Sequence, residues 1–213
     1  MRNSQKRAVI ESKNGQDIHI RLLSGSDVFT LQNFNENLSE QTRSQFLPHK
    51  YDEQIILKFI ERNKKKTDRI YVALVEDIIV GYFFLWGFIK PFPILGIGIS
   101  DPYQGQGLGK QMIAILIEDA KANGNKGILL TTLLTNEEAF QLYLKMGFKY
   151  LGDTDNIAGD GRVTRERMMY LPIKEHVAPE SHDFKPPVMY WMINHIFFGG
   201  LFEVLLVLIY KVA

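Results

Sequence analysis

Seven residues, Gln104-Gly105-Gln106-Gly107-Leu108-Gly109-Lys110, separate a strand-like apolar run over residues 94–100 from an amphipathic run over residues 112–120. The segment predicts a strand that opens through closely spaced glycines into a helix. Such a turn presents consecutive backbone N–H groups at the positive end of the helix dipole, a cradle for phosphate oxygens. Two familiar phosphate loops do not fit it. The pattern G-x-x-x-x-G-K-[ST] needs glycine at 104 and Ser or Thr at 111, where the chain has Gln104 and Gln111. The dinucleotide pattern G-x-G-x-x-G also fails, because the glycines fall at 105, 107 and 109. The pattern that does fit is Q/R-x-x-G-x-G, carried by Gln104, Gly107 and Gly109.

The rest of the chain places this loop inside a mixed α/β domain. Residues 18–23 alternate like a strand, Ser26-Asp27 can cap a short helix, and Tyr51-Asp52 precede a stronger one. In that second helix Ile55, Ile56, Phe59 and Ile60 form an apolar stripe. Residues 70–75 and 78–86 predict a hairpin, and residues 94–99 a further strand. The helix after the loop buries Met112, Ile113, Leu116, Ile117 and Ala120 and stops at Asn123-Gly124. Residues 127–132 form the next strand, and Thr135-x-x-Glu138 a capping box opening the helix that carries Tyr143. Residues 148–151 and 163–171 flank a Gly/Asp-rich loop as a last antiparallel pair. The helix after the glycine loop is a crossover between two sequential strands.

A second block strengthens the first. Asn136-x-x-Ala139-x-x-Leu142-Tyr143-x-Lys145-x-Gly147-Phe148 follows the loop at a set distance, and each block is preceded by a strand-like run. Together they resemble the two characteristic blocks of the GNAT acetyltransferase superfamily. The resemblance is specific over residues 94–152, looser over 18–171, and absent beyond. It implies a mostly antiparallel central sheet of about six to seven strands flanked by about four helices. The expected organisation is a polar tail over residues 1–15, the domain over 16–173, and a linker with a hydrophobic helical extension over 174–213.

The resemblance further implies an N-acetyltransferase that uses acetyl-CoA as cosubstrate and carries acetyl to a primary amine, on a small molecule or a protein. The pyrophosphate would lie on Gln104, Gly105, Gln106, Gly107, Leu108, Gly109 and Lys110, with backbone N–H groups as donors. The pantetheine arm would pair with Ile97 and Ile99 as a strand does. The N–H of Ile99 would stand near the thioester carbonyl, and Asn136 would hydrogen-bond the arm. Tyr143 lies seven residues after Asn136, two turns along one helix face, and would approach the sulfur. Proton donation from a phenol of pKa about 10 to a thiolate of about 8.5 needs no large shift. Without turnover, the same residues would make an acyl-CoA-binding module.

The base that deprotonates the amine is less legible. Residues 94–100 offer no ionisable side chain; Asp101 is the first carboxylate after them, and His49 lies between the two N-terminal helices. Each has a bland alternative, a turn residue before Pro102 and a surface histidine, and deprotonation through ordered water and backbone carbonyls is also open. The sequence has no cysteine, which excludes disulfides, a thiol nucleophile and a cysteine-bound metal. Direct transfer in a ternary complex is therefore expected over an acyl-enzyme. No metal is expected either, since the five histidines show no ligand spacing. A formal net charge of +1 over 213 residues argues against a nucleic-acid partner.

The N-terminus lacks the apolar core of a secretory signal, so a cytoplasmic enzyme is expected. Residues 188–210 are mostly apolar and aromatic, but Glu203 interrupts a stretch shorter than the roughly 20 residues a bilayer needs. Burial in the core or a homodimer interface, a membrane-surface anchor and a true span all compete for it.

Overall fold

The computed structural model describes residues 6–175 together with 177 and 179. Eight strands form one sheet in the order β1-β2-β3-β4-β5-β6-β8-β7. They are β1 (Lys6–Glu11), β2 (Asp17–Leu22), β3 (Arg69–Val75), β4 (Ile78–Trp86), β5 (Ile94–Ile99), β6 (Gly127–Leu133), β7 (Lys149–Ile157) and β8 (Val163–Pro172). Five helices accompany them: α1 (Val28–Glu36), α2 (Glu40–Gln45), α3 (Glu53–Lys64), α4 (Leu108–Asn123) and α5 (Glu137–Lys145). Every neighbouring pair of strands is antiparallel except β5 and β6, which α4 joins as a crossover.

Sheet and helices bury two apolar layers. On one face α4 lays Leu108, Met112, Ile113, Leu116 and Ala120 against Phe83, Leu85, Ile128, Leu130 and Met169. On the other, α1 and α3 cover Tyr82, Phe84 and Trp86 with Leu31, Phe34, Ile55, Ile56, Phe59 and Ile60. The sequence explains both helices. Asp52 accepts a hydrogen bond from Ile55 N–H at 3.0 Å and so caps α3. Gly124, at φ +78°, ends α4 in the left-handed conformation that costs other residues dearly.

Three expectations are corrected. The polar tail over residues 1–15 contains β1, which pairs with β2 through residues such as Val9–His19 and Ile10–Ile18. Helix α2 is additional, because its sequence EQTRSQ carries no apolar period from which a helix could be read. The start of α5 is capped by Asn136, whose Oδ1 accepts from Ala139 N–H at 3.1 Å, rather than by a Thr135 capping box. The apolar segment over residues 188–210 lies outside the described residues. Among those described, no helix is long and apolar enough to cross a membrane.

Candidate active site

Strands β5 and β6 touch at one register pair, Ile94–Leu129, and then part. Backbone polarity along β5 follows from its other neighbour. Ser100 N–H donates to Val80 O at 2.9 Å, so even-numbered residues of β5 bond to β4. Leu129 N–H donates to Pro93 O at 2.9 Å, which points the odd-numbered residues at β6. Ile97 and Ile99 therefore aim their backbone groups into the gap, beyond the last β6 partner. The Ile99 carbonyl is taken by Gln104 Nε2 at 2.9 Å.

This gap is the centre of a cleft of about 550 Å³. Ile97, Ile99, Gln104, Gly105, Gly107, Leu108, Gly109, Lys110, Asn136 and Tyr143 all line it, drawn from β5, the glycine loop, α4 and α5. Gln106 does not: its side chain turns back to Pro102 O at 2.6 Å, and its carbonyl accepts from Lys13 N–H at 3.1 Å. Gln104 acts as a brace, since its Nε2 also donates to Thr42 Oγ1 at 3.0 Å and ties the loop to α2. The Asn136 amide lies 3.5 Å from Gln45 Oε1, so its cap role leaves the NH2 group facing across the cleft.

The glycines are required by conformation. Gly105 and Gly107 have φ of +68° and +80°, a region that a Cβ disfavours. Gly107 is the residue immediately before α4, so this backbone aims the first-turn N–H groups of a 16-residue helix at the cleft. Lys13, from the turn between β1 and β2, donates from Nζ to Gly105 O at 3.0 Å and lines the cleft as Lys110 does, a second cation in its wall.

Tyr143 is buried on the α4/α5 side of the sheet, edge-on to Phe148 at 5.6 Å. Desolvation pushes its phenol well above the usual value, which corrects the expectation of an unperturbed acid. The two base candidates are accounted for structurally. His49 is not the surface histidine expected: it is 3% exposed, packed between Tyr51 and Phe59, and its Nδ1 lies 2.6 Å from Lys50 O. A carbonyl only accepts, so Nδ1 carries the proton and Nε2 accepts from Tyr82 Oη at 3.1 Å. Burial lowers its pKa to about 4. Asp101 accepts from Ser39 N–H at 2.9 Å, Ser39 Oγ at 2.5 Å and Thr42 Oγ1 at 2.7 Å. Desolvation works against these bonds, which nevertheless hold its carboxyl at about 2. Asp101 thus fastens α2 to the loop and is a poor base.

On the opposite face a smaller cavity of about 110 Å³ adjoins the gap, walled by Phe46, Leu47, Phe84, Trp86, Leu95 and Leu133. Glu166 of β8 borders both spaces. Sequence reasoning missed it, because Arg165-Glu166-Arg167 reads as a solvated charge run and no alternation marks the buried position. Lys13 was missed inside the expected tail.

A model of the acetyltransferase (GNAT) family matches residues 31–148, more than half of the chain. Spermine/spermidine N(1)-acetyltransferase of Bacillus subtilis is 40% identical over 58 residues, 27% of this chain and 38% of that protein. The match thus spans well under half of that relative's length. Among solved structures, yncA of Salmonella typhimurium, determined with its cofactor acetyl-CoA, superimposes with a TM-score of 0.62 at 18% identity, covering 77% of this chain and 98% of that one. The ribosomal-protein-S5-alanine acetyltransferase of Vibrio fischeri gives 0.65 at 17% identity, covering 80% and 100%. At these identities the solved structures speak for the fold.

Proposed function

The chain belongs to the GNAT acetyltransferase family, and we propose that it carries acetyl from acetyl-CoA to a primary amine by direct attack in a ternary complex. One observation carries the proposal: the inner edge of β5, without a strand partner beyond Ile94, leads through a short turn at Asp101–Tyr103 into a glycine loop at the N-terminus of α4. An amide-bearing arm ending in a pyrophosphate matches that edge and that loop in sequence.

The residues take roles accordingly. Backbone N–H groups from Gly105 to Lys110 hold the pyrophosphate, with Lys13 and Lys110 adding charge. Ile97 pairs with the pantetheine arm, Ile99 meets the arm through its N–H at the thioester end, and Asn136 donates to the arm from its amide. The Ile99 N–H donates to the thioester carbonyl as negative charge develops, a contribution often near 3 kcal/mol. The bound ammonium first gives one proton to solvent. The neutral nitrogen then bonds to the acetyl carbon, the C–S bond breaks, the Tyr143 hydroxyl gives its proton to the departing sulfur, and the second proton shed by the nitrogen returns through water to the phenolate. Burial keeps that phenol protonated at neutral pH while weakening it as an acid.

The test follows free thiol during incubation of the full chain with acetyl-CoA and a panel of primary amines. Amine-dependent thiol release is expected. Coenzyme A binding without any release would favour a module that binds acyl-CoA and does not turn it over.

A further inference from the structure

We infer that Glu166 is the counter-charge for the acceptor's ammonium group, and that the acceptor is a compact primary monoamine with an apolar frame. The inference rests on the acetyl-transfer reading and names what that site accepts.

Four carboxylates are buried among the described residues: Asp27, Asp68, Asp119 and Glu166. Three have an arginine at hand, Arg21 at 2.6 Å, Arg62 at 2.5 Å and Arg69 at 3.6 Å respectively. Among the described residues Glu166 has none, and its oxygens accept only from neutral groups there, Thr164 Oγ1 at 2.6 Å and Asn156 Nδ2 at 3.0 Å. Its sequence neighbours do not help, because strand alternation turns them to the other face, where Arg165 meets Asp155 and Arg167 meets Glu137. A carboxylate set in the wall of a cavity with no cation beside it is placed to receive one from a ligand.

Position says which ligand. Leu133 and Glu166 stand opposite each other on β6 and β8, on the face away from Tyr143 and α4. Glu166 thus borders the gap from the side opposite the proposed acid, with the smaller cavity adjoining it there. In the adjoining cavity it is the only ionisable group among the lining residues, and the walls are Phe46, Phe84, Trp86 and Leu133 with a few small polar groups. At about 110 Å³ the cavity is smaller than one of about 150 Å³ that takes a single benzene ring, so the part of the acceptor it holds is compact. A polyamine would bring further ammonium groups that find no carboxylate there.

The experiment uses the full chain saturated with coenzyme A, titrated calorimetrically with n-propylamine, 1-propanol and spermidine. Propylamine, protonated at pH 7, is expected to bind at least about 30-fold tighter than propanol, the range a charged hydrogen bond supplies. Spermidine is expected to bind no tighter than propylamine. In turnover, Glu166→Gln should raise the amine KM on the order of 30-fold and leave acetyl-CoA affinity unchanged, while Glu166→Asp restores part of the loss. Equal binding of alcohol and amine, a preference for spermidine, or an unchanged KM in Glu166→Gln would overturn the assignment. The wild-type ligand ratios decide the matter even if Glu166→Gln does not fold. Absence of thiol release with every amine would sink acetyl transfer, and the amine-to-alcohol ratio would still judge Glu166 separately.

Discussion

Burial acts on Tyr143 and His49 with opposite sign and the same outcome, because each ring is held in its neutral form. For Tyr143 this means a phenol that keeps its proton through the neutral range and delivers it reluctantly. Tyr143→Phe is expected to lower kcat on the order of 100-fold with little change in acetyl-CoA affinity, measured by thiol release beside a binding titration. An unchanged kcat, with chemistry shown to be limiting, would remove the tyrosine from the reaction. For His49 the consequence is stability. Its folded pKa is lowered to about 4 from 6.5, so between those values the unfolded chain takes up a proton that the native ring refuses. Stability should therefore fall as pH drops from 6.5 towards 4, by on the order of 3 kcal/mol from this group. Denaturant unfolding at stepped pH measures the slope, and His49→Gln should flatten it. A slope that survives the substitution would assign the effect to another group.

Among the elements, the glycine loop and α4 were legible because each signal is local. Gly107 must have positive φ to turn β5 into α4, and that need is written in the residue itself. Gly107→Val should destabilise the fold by about 1–2 kcal/mol through backbone strain. It should also weaken coenzyme A binding at least tenfold, read by thermal unfolding and calorimetry; wild-type values for both would show that the loop tolerates a side chain. The hairpin β3–β4 and strand β5 were legible for a similar reason, as apolar β-branched runs bounded by turns. Helix α2 and strand β1 were not. EQTRSQ is helical because Ser39 caps it, accepting from Thr42 N–H at 3.1 Å, and because Asp101 fastens its start to the loop. Strand β1 exists because β2 offers an open edge, and neither cause can be read from the segment's own periodicity.

At the scale of the molecule, function follows from a sheet that splits. Seven antiparallel or parallel contacts hold the strands together, and the one between β5 and β6 stops after a single pair. The gap opens both faces, α4 and α5 on one side and α1–α3 on the other, so two reactants can meet within the sheet. Order of elements predicted the crossover that makes this split, but the placement of Glu166 in the wall of the cleft that Tyr143 also lines needed the three-dimensional register of β6 on β8. That is why one half of the proposed site, the loop and α5, could be read from the residues, while the half that faces the acceptor could not. Calorimetric titration of the folded full chain with acetyl-CoA is the most direct measurement. One molecule is expected to bind per chain, with affinity that drops when Gly107 is replaced by valine. No heat from either acetyl-CoA or coenzyme A would contradict the assignment of the cleft between β5 and β6 to a thioester-bearing nucleotide.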